Sequence, residues 1–189
     1  MNKKQKIFVI IVTYKGKRWY DKCFGSLRES TILVQTVVVD NSPTEEDSAY
    51  IRVHFPEVTI IRTYDNIGFG RANNLGMRHA LDNGCDYVFL LNQDAWIEPD
   101  AIEKLVAIAE KHPEYGILTP IHLNAERTAI NMQIGLGAHH RNERLLSDLY
   151  MNSVSEIYET NYANAAAWLL PRKTLETVGG FDPIFKHYE

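Results

Sequence analysis

The chain has 189 residues, 45% of them hydrophobic, and a formal net charge of −4. That is apolar material for one core, and it excludes the global positive charge of a nucleic-acid-binding protein. Two cysteines, Cys23 and Cys85, fit neither a metal-ligand spacing nor a disulfide framework and read as reduced, buried thiols of a cytosolic protein.

The apolar run Ile7–Val12 is too short for a signal-peptide core and has no small-residue cleavage site after it. No segment approaches the roughly 20 apolar residues that span a bilayer. The run is β-branched and reads as a buried strand ending at Thr13 and Tyr14. Trp19, Cys23 and Leu27 recur every four residues and predict a helix with one apolar stripe. Gln35–Val39 makes a second strand, closed by the turn residues Asp40-Asn41-Ser42-Pro43. A short helix over Glu45–Phe55 precedes Pro56, and Val58–Arg62 makes a third strand.

Tyr64–Gly70 leads into a helix that runs to Leu81 and stops at Asn83-Gly84. Ala72, Gly76 and Ala80, four residues apart, place that helix very close to the sheet. Tyr87–Leu91 is a continuous apolar run, a strand buried on both faces, that ends abruptly in Asn92-Gln93-Asp94. Pro99 opens a helix with Ile102, Leu105, Val106 and Ala109 on its inner face, ending near His112-Pro113. Short strands over Gly116–Ile121 and Asn164–Leu170 follow, then a helix over Pro171–Thr177. Residues 122–162 break the rhythm and predict an irregular, substrate-facing region.

The polar strand ends Tyr14, Asp40, Asn66 and Asn92 are evenly spaced. Such strand–helix units cross over right-handed and build a parallel sheet, so the four ends share one edge. That edge is where open α/β sheets bind ligands. There, Asp40 reads either as an acceptor for a base imide N–H or as a plain turn residue. Asn66-x-Gly68-x-Gly70-x-x-Asn73 either brings backbone close to a ligand or is a helix-entry turn. It is a weak match to a dinucleotide fingerprint, because it follows the third strand and has Asn73 in place of the last glycine. Asp94 reads either as a Mg²⁺ or Mn²⁺ ligand that shares its metal with a substrate diphosphate, or as a turn or cap residue ahead of Pro99. His122, and His139-His140 beside Arg141, lack zinc-site spacing and read as solvated loop histidines.

These residues resemble the inverting GT-A glycosyltransferases that use nucleotide-sugars, glycosyltransferase family 2, and within it the rhamnosyltransferase-like branch. Five blocks in order carry the resemblance over essentially the whole chain: Val9–Tyr14, Val37–Ser42, Asn66–Gly76, Leu90–Ala95 and Gly179–Asp182. It implies an α/β fold, a single GT-A, Rossmann-like α/β/α sandwich over residues 1–189 with a mostly parallel, then mixed, sheet. Residues 1–121 would form the nucleotide-sugar-binding half and 122–189 a partial acceptor-side half.

By position, the resemblance implies that Thr13 and Tyr14 line the base pocket and that Asp40 reads the pyrimidine. Asn66, Arg71 and Asn73 would surround the nucleotide and its phosphates. Asn92 and Asp94 match the ends of the family's Asp-x-Asp motif, with asparagine in place of the first aspartate. Asp94 is then the carboxylate for Mg²⁺ or Mn²⁺, and Asn92 a ribose contact. Ala165, Ala166, Ala167 and Trp168 match the segment near the acceptor. In similar proteins the Gly-Gly-Phe-Asp block precedes an aromatic-rich stretch and an acidic pair that holds the catalytic base. Here Glu189 ends the chain, so the base is expected just beyond it and the chain is expected to be an N-terminal fragment.

The implied function is metal-assisted, inverting transfer of a hexose or deoxyhexose from a UDP-, dTDP- or GDP-sugar to a glycan or lipid-linked glycan. The implied setting is bacterial surface polysaccharide synthesis, in the cytoplasm or on the inner face of the membrane. The alternative is a GT-A module that binds nucleotide or glycan without turnover. A nicotinamide-dependent oxidoreductase would need a glycine fingerprint after the first strand, which Thr13-Tyr14-Lys15-Gly16-Lys17 lacks.

Overall fold

The computed structural model describes residues 4–131, 143–160 and 162–185. In strand β1 (Ile7–Thr13), Ile7, Val9 and Ile11 enter one core while Phe8 and Ile10 enter another. This is the period-2 alternation of a strand covered on both faces. Strands β2 (Val34–Asp40), β3 (Thr59–Arg62), β4 (Tyr87–Leu91) and β5 (Ala167–Pro171) complete a sheet of order β3-β2-β1-β4-β5. The first three pairings are parallel and β4–β5 is antiparallel. The sheet is thus parallel and then mixed, as the resemblance implies.

One face of the sheet packs on α1 (Tyr20–Arg28), α2 (Glu46–His54) and α4 (Ala101–Lys111). The other packs on α3 (Phe69–Asp82) and a C-terminal helix (Arg172–Val178, α6). Ile102, Leu105, Val106 and Ala109 of α4 are all buried, as their spacing predicts. Ala72, Gly76 and Ala80 are the buried seam of α3. A Cβ on Gly76 would lie 2.3 Å from Ile10 Cγ2, so only glycine lets the helix approach β1 this closely.

Three predicted features differ. The stripe of α1 is Tyr20, Cys23, Phe24 and Leu27, with Trp19 outside it in a 3₁₀ turn (Lys17–Trp19). A repeat of four residues drifts off the face, which i, i+3, i+4, i+7 follows. The third strand stops at Arg62, leaving Asn66 in the following loop rather than at a strand end. Gly116–Ile121 is not a strand but a single antiparallel bridge, Leu118 with Leu169. The next ladder positions on either side bring in Pro120 and Pro171, which have no N–H to donate.

The chain divides into two compact units, Met1–Leu118 with Ala165–Glu189, and Thr119–Asn164. Residues from Ala165 onward go with the first because β5 pairs with β4. The second contains a Leu123–Ile130 bridge and a helix (Glu143–Tyr150, α5). No helix among the described residues is long and apolar enough to cross a membrane.

Candidate functional site

The chain runs from β1 outward to β3, then returns to the far side of β1 as β4. The carboxyl ends of β1 and β4 therefore flank a topological switch point, where such sheets open a crevice. Thr13, Asp40 and Arg62 stand side by side across the ends of β1, β2 and β3. Asp40 is fully buried. Its Oδ1 accepts the Ser42 N–H at 2.9 Å and lies 3.5 Å from Thr13 Oγ1.

The other oxygen, Oδ2, lies 3.4 Å from Arg62 Nε, an ion pair that misses hydrogen-bond geometry and leaves both atoms buried without a hydrogen-bond partner. Arg62 is itself held by Glu45 at 2.8 Å and the Thr44 carbonyl at 2.8 Å, and it stacks on Tyr64. Asp40 thus faces inward, behind Arg62. No sequence pattern pointed to Arg62.

The β1–α1 loop is pinned from both sides. Lys15, at φ 50, donates its N–H to Asp47 Oδ2 at 2.7 Å, and buried Asp47 also takes the Ser42 hydroxyl. On the other side, the Gln93 carboxamide accepts from Tyr14 N–H at 2.9 Å and donates to Tyr14 C=O at 3.3 Å. The Tyr14 side chain stays 39% exposed. Lys15 and Lys17, with Thr44, Glu46 and Asp47, line an open cavity of ≈ 410 Å³ on this edge. The lysines face Glu46 and Asp47 across this cavity, with the Lys15 ammonium over the Tyr14 ring and that of Lys17 over the Tyr50 ring, and sequence reasoning passed over them.

Asp94 is exposed and makes no hydrogen bond or ion pair among the described residues. Beneath it, the Cys23 thiol contacts the Asn92 carbonyl at 3.7 Å, and burial, then the Asp94 charge, push its pKa up. Cys23 is therefore an inert neutral thiol, and Cys85 is likewise free and buried. Among the described residues no group of three or more His, Cys, Asp or Glu could hold a metal. One free carboxylate suits a cation that completes its shell with substrate phosphate and water, and not a closed protein cage. Mg²⁺ or Mn²⁺ fits that description.

The segment matched to the acceptor side lies against the same loop. The Asn92 N–H donates to the Ala166 carbonyl at 2.9 Å, and Ala167 is in register with Leu91. Trp168 stacks on Phe181 with ring centroids 6.0 Å apart, and its indole N–H is buried without a partner.

The Asn66–Asn73 stretch is occupied by the protein itself. Asn66 Oδ1 accepts the Gly68 N–H at 3.0 Å, and Gly68 takes φ 90, a glycine conformation. Asn73 is buried, its amide on the Phe69 carbonyl at 3.0 Å. Arg71 reaches the Pro183 carbonyl at 2.8 and 3.1 Å. Asn74, one residue past those singled out, binds both backbone groups of Phe181. In this conformation α3 grips the Gly-Gly-Phe-Asp segment rather than facing an open phosphate site.

His122 is not solvated: it is half-buried with Nε2 3.1 Å from Thr119 Oγ1, and burial lowers its pKa. His139, His140, Arg141 and Glu189 lie outside the described residues.

The family profile described as Glycosyl transferase family 2 matches residues 8–177. The low-salt glycan biosynthesis hexosyltransferase Agl10 of Haloferax volcanii is 27% identical over 188 residues, covering 96% of this chain and 58% of that protein. An uncharacterized glycosyltransferase of Haemophilus influenzae is 30% identical over 117 residues, 58% of this chain and 42% of its own. The chain spans little more than half the length of the first of these. Among solved structures, the mannosyltransferase PcManGT from Pyrobaculum calidifontis, in complex with GDP-Man and Mn²⁺, covers 96% of this chain and 49% of its own at 19% identity and a TM-score of 0.71. S. aureus TarS in complex with UDP-GlcNAc covers 67% of this chain and 37% of its own at 17% identity and a TM-score of 0.55. The fold is the GT-A, Rossmann-like α/β fold, and the chain belongs to glycosyl transferase family 2.

Proposed function

We propose that the protein transfers a hexose or deoxyhexose from a nucleoside-diphosphate sugar to a glycan acceptor, with inversion, and that the donor lies across the carboxyl ends of β2, β1 and β4. The observation that carries this reading is the free, exposed Asp94 at the mouth of the β1/β4 crevice. Asp40 lies two strands away, about 10 Å along the sheet at ordinary strand spacing. Base and diphosphate then take opposite ends of one groove, with Thr13 and Tyr14 between them and Asn92 at the ribose. Reading of the base by Asp40 requires the Arg62 side chain to swing outward.

Displacing a nucleoside diphosphate from an anomeric carbon builds negative charge on the departing phosphate. A Mg²⁺ or Mn²⁺ held by Asp94 supplies Lewis-acid neutralisation of that charge when bound. The acceptor comes from the side of Ala166, Ala167 and Trp168, opposite the leaving group, which inverts the anomeric configuration. Its proton passes to a carboxylate placed after the Gly-Gly-Phe-Asp segment, a contribution of about 10²–10⁴-fold for a positioned general base. The relatives support a glycan setting and the solved neighbours support a nucleotide-sugar donor; the rhamnosyltransferase-like branch, polysaccharide synthesis and a place at the inner face of the membrane belong to this proposal.

Calorimetric titration with UDP, dTDP and GDP in the presence of Mn²⁺ tests it. Binding of one of the three is expected. Heats at the level of dilution for all three would dispose of the donor site.

A further inference from the structure

The pairing of β1 with β4 ends at Ile10–Leu90, although β1 runs on to Thr13. Beyond that point the strands part, and the gap between them is the crevice. One side chain crosses it. Gln93, between Asn92 and Asp94, offers its carboxamide to the backbone of Tyr14 as a strand would, accepting at 2.9 Å and donating at 3.3 Å. We propose that Gln93 is a positioning residue that clamps the Tyr14 loop to the Asn92–Asp94 loop and so couples nucleotide binding to metal binding. The inference rests on the donor-site reading above and deepens it.

Only glutamine has the required shape. Glutamate would set a second oxygen against the Tyr14 carbonyl, and asparagine is one methylene shorter. The partner loop is cut to fit: a Cβ on Gly16 would lie 2.0 Å from Gln93 Oε1 and 2.6 Å from its Cδ. Gly16 has φ −102, open to any residue, so the space taken by Gln93, with the Tyr20 ring 3.0 Å from the same Cβ position, and not backbone freedom, accounts for glycine there. The clamp ties a loop that carries exposed Tyr14 to a loop that carries exposed Asp94, and rigid spacing between two half-sites makes their occupancy cooperative.

The test is the ratio of nucleotide affinities with and without Mn²⁺, measured by calorimetry for UDP, dTDP and GDP on wild type, Gln93→Ala and Gly16→Ala. In Gln93→Ala the ratio falls about three- to tenfold, the worth of about one neutral hydrogen bond. Metal-free affinity and thermal stability stay close to wild type. Gly16→Ala keeps Gln93 but takes its space and reproduces the fall, whereas adding it to Gln93→Ala changes the ratio little. A wild-type ratio in Gln93→Ala overturns the clamp, as does an equal loss of affinity with and without Mn²⁺, which marks a merely structural role. A wild type that binds no nucleotide with Mn²⁺ overturns the donor-site reading, and the clamp with it.

Discussion

Asn74 holds the backbone of Phe181 by both of its groups: Nδ2 donates to the carbonyl at 2.7 Å and Oδ1 accepts the N–H at 2.8 Å. Three residues earlier on the same face of α3, Arg71 holds Pro183. Phe181 then stacks on Trp168 and meets Phe69 edge-on. The Gly-Gly-Phe-Asp block is therefore a docked segment, and the first turns of α3 are its receptor. Asn74→Leu removes both bonds at once and leaves two part-buried backbone groups unpaired. A loss of about 1–3 kcal/mol in urea unfolding is expected.

Gly180 is the close approach that makes this grip possible, since a Cβ there would sit 2.2 Å from Asn74 Oδ1 and 2.9 Å from its Cγ. Gly180→Ala should displace the Asn74 amide and match Asn74→Leu in unfolding midpoint. Gly76→Ala acts deeper, driving a methyl into Ile10 in the sheet core, and should cost about 1–3 kcal/mol by overpacking. Urea titration of both, with their m-values, checks these two losses.

Asp40 and Arg62 form a buried pair with side-chain exposures of 0% and 6%. Neutralising one member usually costs about 3–5 kcal/mol, because the other charge is left buried. Glu45 stays on Arg62 at 2.8 Å, so Asp40→Asn should cost less, about 2–3 kcal/mol. Arg62→Met added to Asp40→Asn should recover part of that loss in chemical denaturation. A fully additive pair would show that the two side chains do not interact.

How much of this was legible beforehand follows from distance along the chain. The inner face of α4 and the seam of α3 are local patterns with a period of 3.6, and they were readable; the order of strands in the sheet is not local and emerges only with the structure. The bonds from Gln93 to Tyr14 and from Asn74 to Phe181 join residues 79 and 107 positions apart, and no local period encodes them. Arg71 illustrates the consequence. The resemblance puts it among the residues around the nucleotide phosphates, whereas the structure has its guanidinium on the Pro183 carbonyl. The failed strand at Gly116–Ile121 had a visible cause in Pro120, but its second cause, Pro171, lies on the partner strand and emerges only with the register.

His122 supplies a pH test. Burial lowers its pKa below the ordinary value of about 6.5, so the folded state prefers the neutral ring. The unfolded chain then binds the extra proton first as pH falls. The stability His122 contributes is whole above about pH 6.5 and is lost as pH drops through the lowered pKa. The protection factors of the Thr119–Asn131 amides should fall as pH drops below about 6.5, and His122→Gln should remove that fall.

The most direct test of the donor site is a titration of Asp94→Ala with the nucleotide that wild type binds, with and without Mn²⁺. Asp94 is exposed and structurally idle, so the variant should fold and melt as wild type does. The account predicts that Mn²⁺ no longer improves nucleotide affinity once Asp94 is gone. A variant whose affinity still responds to Mn²⁺ as wild type does would contradict it.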